Sequence, residues 1–217
     1  MNKRTSGVIL WMVAIGLTYQ QNVLSQMDGG ETMYQNSLSS GDNNTMERAI
    51  KLEVDVNAPL KKVWEAWTTA QGVRTFFAPD CEIDIRVHGK YDILFFPTAP
   101  KGLRGAEDNW VLAIQEGKMF SFTWDAPPQF PETRKQRTSV VVRFVELEKN
   151  KTRIRLTHSG WGEGKEWDET FEYFISAWGD VVLPFLKYSF EVRPINWQNF
   201  PTNLPTAENL LKATRLD

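Results

Sequence analysis

The hexapeptide Leu156-Thr157-His158-Ser159-Gly160-Trp161 sets an imidazole beside a hydroxyl, the residue types of a base and its nucleophile. Along the stretch before it, Ile154 and Leu156 share the parity of His158, while Arg153, Arg155, Thr157 and Ser159 share the other. Successive side chains of a strand point to opposite faces, so His158 is predicted to face inward and Ser159 outward. In a regular strand the two cannot hydrogen-bond, and no third group is evident to orient the ring, which argues against a catalytic dyad. Three roles remain for His158. It is a strand-end residue hydrogen-bonded to the C-terminal helix or its leading loop, a polar contact to a ligand at a cavity mouth, or an acid-base group.

The only other histidine is His88 and the only cysteine is Cys81. Neither a His-x-x-x-His nor a Glu-x-x-His cluster occurs, so no metal site is expected, and no cofactor is predicted. One cysteine excludes internal disulfides and Cys-pair redox chemistry, and Cys81 reads as a small buried hydrophobe at the start of a strand. No residue is assigned as catalytic.

The elements that would hold these residues follow from periodicity. In IKLEVDVN, Leu52, Val54 and Val56 alternate with Glu53 and Asp55, as in a half-buried strand. Pro59 opens a helix in which Leu60, Val63, Trp64 and Trp67 fall at helical spacing and Gly72 marks the end. Strand patterns follow in CEIDIRV (Ile83, Ile85 and Val87 on one face), YDILFFP, WVLAI, MFSFTW, SVVVRFVEL and TRIRLTHSGW. Their links are short enough for an antiparallel meander. From Lys165 to Glu191, Trp167, Phe171, Phe174, Ile175, Trp178, Val182, Phe185 and Leu186 repeat at 3-4 spacing and predict one long amphipathic helix. Pro184 should kink it. A single antiparallel sheet with one apolar face needs a cover, and this helix is the only element long and apolar enough. The fold class is therefore α+β, a curved antiparallel sheet gripping a long C-terminal helix.

The N-terminus poses a separate question. Lys3 and Arg4 precede the apolar run Gly7–Leu17, and Val23-Leu24-Ser25 offers a small-residue cleavage pattern. Residues 1–25 read as a signal peptide and the protein as exported, periplasmic or secreted; an uncleaved membrane anchor is the alternative. The apolar run is shorter than the ~20 residues a span requires, so no stable membrane span is expected once the signal is removed. Residues 26–46, rich in Gly, Ser, Asn and Asp, read as a flexible linker, 47–192 as the domain, and 193–217 as a C-terminal tail. With 25 basic and 27 acidic residues well mixed and a net charge of −2, the chain offers no basic stripe to a nucleic acid.

Several pieces in order carry a resemblance: Ala58-Pro59, Val63-Trp64-Glu65-Ala66-Trp67-Thr68, Phe76-Phe77-Ala78-Pro79, Gly89-Lys90-Tyr91, Phe122-Thr123-Trp124 and Leu156 to Trp161. Over residues 47–190 the chain resembles the homologues of the activator of heat-shock-protein-90 ATPase, within the START-like (SRPBCC) superfamily. The resemblance implies the helix-grip fold, often with a hydrophobic cavity between sheet and helix. The superfamily includes lipid carriers, sterol and hormone binders and polyketide cyclases, and no shared catalytic set can be carried over. On that frame a hydrophobic small molecule is the expected partner. Phe77, Phe95, Trp110, Phe122, Trp124, Phe144, His158, Trp161 and Trp178 are the candidate binding residues, all but Trp161 and the mouth residue Phe77 placed on inner surfaces. A cyclase-type enzyme using His158 and an exported protein-interaction module using Trp197 and Phe200 are the alternatives.

Overall fold

The structure, a computed structural model, describes residues 47–199 and 214–216. The segments read as signal peptide and linker, and most of the tail including Phe200, lie outside the described residues.

The first strand, β1 (Ile50–Val56), buries alternate residues as its sequence predicts. The predicted single helix after Pro59 is two: α1 (Leu60–Thr68) and α2 (Ala70–Phe76). The break is at Thr69, whose backbone is extended and whose hydroxyl caps α2 by accepting the Gly72 N–H at 3.0 Å. Gly72 therefore does not end the first helix. It allows the second to fold back on it, because a Cβ there would lie 2.3 Å from the Glu65 carbonyl oxygen.

Three short strands follow, β2 (Asp80–Ile83), β3 (Tyr91–Leu94) and β4 (Gly105–Ala106), paired in the order β2-β3-β4. The expected CEIDIRV strand stops at Ile83. Beyond it local bonds take over, with Arg86 N–H on Asp84 C=O and Gly89 N–H on Arg86 C=O, and Val87 is exposed. The larger sheet comprises β5 (Val111–Gln115), β6 (Met119–Trp124), β7 (Thr138–Glu148), β8 (Lys151–Ser159), β1 and β9 (Thr214–Arg215). Its order is β5-β6-β7-β8-β1-β9, antiparallel throughout. A Lys90–Trp110 bridge connects the small sheet to it.

The C-terminal helix covers the inner face. It runs as α3 (Lys165–Ser176), a π-helical stretch (Ala177–Val182) and α4 (Leu183–Glu191). Pro184 has no N–H to give the Asp180 carbonyl. The widened turns just before it are how the helix accommodates the missing bond, so the expected irregularity is a π-bulge. Trp178, Leu183 and Leu186 from this helix are fully buried, as are Ile154 and Leu156 of β8 and Phe120 and Phe122 of β6, and Trp178 packs on Trp124 of β6 at 5.2 Å between ring centroids. After α4 the chain tucks back: Ile195 N–H donates to Thr75 C=O at 2.8 Å and Trp197 Nε1–H to Arg74 C=O at 2.6 Å.

Candidate functional site

Strand parity puts His158 where the sequence places it: fully buried and facing the helix. Opposite it on β1 is Ile50 and on β7 Val140. Ser159 turns to the other face, where its hydroxyl lies 3.2 Å from that of Ser139. The imidazole is held at both nitrogens. Trp178 Nε1–H donates to Nδ1 at 3.0 Å. An indole only donates, so Nδ1 is the acceptor and the proton sits on Nε2. Nε2–H then donates to Thr138 Oγ1 at 2.7 Å, and the Thr138 hydroxyl donates to the Trp124 carbonyl at 3.0 Å. Burial alone pushes the His158 pKa down to about 3, so the ring stays neutral.

Gly160, at φ 87°, reverses the chain after β8. Trp161 is thereby folded back over the imidazole at 4.3 Å between ring centroids, with its Nε1–H on the His158 carbonyl at 2.9 Å. The LTHSGW stretch is thus a structural clasp joining the end of β8 to α3 and the π-helical turns.

Six more of the predicted residues meet in a continuous run of rings or join one. Phe77 is stacked on Trp124 at 5.8 Å, and it touches Trp178 at 5.8 Å and Phe95 at 6.2 Å. Trp124 touches Phe122 and Trp178. Phe95 is only half-buried, so the run meets solvent there. Phe144 is buried on the same face but at its other end, packed on Trp64 at 5.0 Å and linked to the rest through Phe120. Phe77, placed by the sequence near a mouth, lies inside the cluster with an exposure of 3%.

Trp110 is a correction. It is 40% exposed on the outer face, and the inward residue is its neighbour Val111, which pairs with Phe122. A register irregularity between Val111 and Ala113 breaks the alternation that the run WVLAI suggests. Trp110 takes no part in the inner surface.

A second buried polar group has no signal in the strand periodicity. Asn109, at the foot of β5, donates its backbone N–H to Asp92 (2.9 Å) and its side-chain amide to Asp125 (2.8 Å), and Thr123 Oγ1 donates to its side-chain carbonyl (3.2 Å). Arginines surround it: Arg134 reaches Asp125 at 2.9 Å and Arg104 reaches Glu107 at 2.7 Å. Lys90 stands 3.5 Å from Asp92. Burial lifts the Asp92 and Asp125 carboxyls above their ordinary range, although Asn109 and the nearby cations pull the other way.

An open groove of about 590 Å³ lies elsewhere on the surface, lined by Arg74, Pro79 and residues from Pro194 to Gln198. Among the described residues no group of three His, Cys, Asp or Glu side chains is placed to hold a metal ion. No described helix is long and apolar enough to cross a membrane.

Comparison with known proteins identifies the architecture. The family model described as "Activator of Hsp90 ATPase homolog 1-like protein" matches residues 57–186. No curated protein matches the sequence. Among solved structures, CalU16 from Micromonospora echinospora aligns with a TM-score of 0.51 at 20% identity, covering 69% of this chain and 78% of that one. The solution structure of the Aha1 dimer from Colwellia psychrerythraea aligns with a TM-score of 0.51 at 21% identity, covering 67% of this chain and 97% of that one. At such identities the likeness speaks to fold: the antiparallel sheet with a long C-terminal helix is the helix-grip arrangement of these proteins.

Proposed function

The chain belongs to the Activator of Hsp90 ATPase homolog 1-like family, and on that premise we propose that it is an exported, non-catalytic START-like domain that binds a hydrophobic small molecule between sheet and C-terminal helix. The observation that carries this reading is the ring run itself. It starts at half-buried Phe95 and passes through Phe77 to Trp124 and Trp178, so an apolar guest entering beside Phe95 meets aromatic surface throughout. The polar atoms of His158, Thr138 and Trp178 are engaged with one another and present little polarity to such a guest.

The non-catalytic half rests on His158. A general base needs a free nitrogen and a pKa near working pH, and this ring has neither. Export rests on Lys3, Arg4, the apolar run Gly7–Leu17 and the small-residue site ending at Ser25.

The test is titration of the mature protein with Nile red, following dye and tryptophan emission, beside native mass spectrometry for co-purifying molecules. Binding is expected to shift both emissions, and Phe77→Ala should weaken it at least tenfold. No dye bound and no co-purifying mass would end the carrier reading. For export, the mature N-terminus should be Gln26; a chain starting at Met1 in the membrane fraction would establish the anchor instead.

A further inference from the structure

Trp67 is fully buried, and its indole Nε1–H has no hydrogen-bond partner among the described residues. Its own carbonyl is used, accepting the Tyr91 hydroxyl at 2.9 Å. The polar side-chain atoms of His158, Trp178, Trp161 and Thr138 are engaged, as is the hydroxyl of Tyr91. Two further buried atoms lack a hydrogen bond among the described residues, Asp125 Oδ2 and Arg137 Nε, and both belong to the ionic group. There Arg134 lies 2.9 Å from Asp125, and the terminal nitrogens of Arg137 donate to carbonyls. Trp67 is different, because its N–H stands among aromatic rings and meets no charged partner among those rings. Burial strips a donor of its water, and folded proteins almost always supply a replacement acceptor.

The position of Trp67 matters as much as its missing partner. Its ring lies 5.5 Å from Phe77 and 5.1 Å from Phe76, and Phe77 is the ring that links half-buried Phe95 to the interior. Phe77 is thus the ring neighbour shared by half-buried Phe95 and fully buried Trp67.

We propose that Trp67 Nε1–H is the polar anchor of the binding site, and that the ligand is an uncharged apolar molecule carrying an acceptor oxygen, such as a ketone or ester. This rests on the carrier reading above and specifies its ligand class. The aromatic rings touching Trp67 and Phe77 belong to Phe76, Phe95, Trp124 and Trp178, none of them charged. A carboxylate carried in there would lose its hydration without gaining a counter-charge. A plain hydrocarbon would leave the donor as unsatisfied as before. A neutral acceptor avoids both costs.

The experiment compares 2-dodecanone, dodecane and dodecanoate as competitors of Nile red on the mature wild-type protein and on Trp67→Phe. On the wild type, 2-dodecanone should bind about tenfold tighter than dodecane, the worth of one buried neutral hydrogen bond, and dodecanoate no tighter than dodecane. In Trp67→Phe the preference for the ketone should vanish while dodecane affinity stays within about twofold. Equal affinity of ketone and alkane for the wild type, tightest binding by the carboxylate, or a ketone preference that survives in Trp67→Phe would each overturn the anchor and leave the carrier intact. Failure of Nile red and all three competitors to bind would remove both. Should Trp67→Phe not fold, the indole N–H resonance of Trp67 in the wild type decides instead: it should move on addition of 2-dodecanone and not of dodecane, and an unmoved resonance would overturn the anchor.

Discussion

The fold buries polar chemistry in two places by opposite means. Around His158 the solution is neutral: an imidazole of fixed tautomer, one threonine hydroxyl and one indole, each donor matched to one acceptor. Around Asn109 it is ionic, with Asp92, Glu107 and Asp125 compensated by Lys90, Arg104 and Arg134. The difference follows from what covers each group. The His158 clasp lies under the C-terminal helix, where a charge would find no water. The second group lies at the rim of the small sheet, and the arginines that close it keep part of their surface in solvent, 20% for Arg104 and 19% for Arg134. A buried carboxylate is tolerable when its partner can remain hydrated; deep in an apolar core the fold uses neutral partners instead.

The strongest way to break this contrast is to remove a charge from the ionic group. Asp125→Ala takes the carboxylate from Arg134, leaving its guanidinium only backbone carbonyls, and removes the acceptor of the 2.8 Å Asn109 amide bond, in a site where Asp125 is 3% exposed. Breaking a buried pair by deleting one partner costs about 3 kcal/mol or more. Urea unfolding should show that loss, with the midpoint falling and the slope unchanged. A loss under about 1 kcal/mol would mean that Arg134 simply swings into water and that the group is a surface feature.

His158→Gln probes the neutral side and should cost about 2 kcal/mol, since the Trp178 donor and the Thr138 hydroxyl lose a well-placed partner. Its effect also depends on pH. The folded pKa of about 3 lies below the unfolded value of about 6.5, so the unfolded chain binds the extra proton. The stability held by neutral His158 is therefore complete above about pH 6.5 and drains away as pH falls toward 3, by about 1.4 kcal/mol per unit. Asp92 and Asp125 act with the opposite sign. Their raised pKa values mean that the folded state takes up protons more readily than the unfolded chain, so acid relieves them. Comparing unfolding of wild type and His158→Gln at pH 7 and pH 5 isolates the histidine contribution, and the wild type should lose more on acidification. Equal losses would show that the ring is not the neutral, doubly bonded group described here.

The two regions also differ in how far the sequence reveals them. The facing of His158 could be read from the chain because TRIRLTHS alternates without interruption and β8 is regular along its length. The helix-grip arrangement could be read for a related reason: one long apolar stripe and one set of strands leave a single way to cover the sheet. The ionic group is invisible to that logic. Asp92 lies between Tyr91 and Ile93 in an alternating strand, where a carboxylate normally means solvent, yet here all four residues of β3 are buried. Asn109 and Asp125 come from stretches with no period at all, and only the folded chain shows them 2.8 Å apart. The break at Thr69 was hidden because the apolar spacing of the first helix gives no sign that an extended residue follows Thr68. The orphaned Trp67 donor could not be foreseen either, since helical spacing tells that the ring is inside but not what its nitrogen meets.

Trp110 offers the smallest effect and the cleanest check on which surface does the binding. It is expected from sequence on the inner face with Phe122 and Trp124, whereas it lies on the outer face with its backbone N–H on the Thr123 hydroxyl at 3.0 Å. That bond is made by the main chain and survives truncation of the side chain. A residue 40% exposed loses little packing when shortened, so Trp110→Ser should change stability by no more than about 0.5 kcal/mol. It should also leave Nile red affinity unchanged, where Phe77→Ala reduces it, although both residues are large aromatics from the same predicted set. If Trp110→Ser weakened the dye as much as Phe77→Ala, the guest would sit on the outer face of the sheet, and the inner ring run would be core and nothing more.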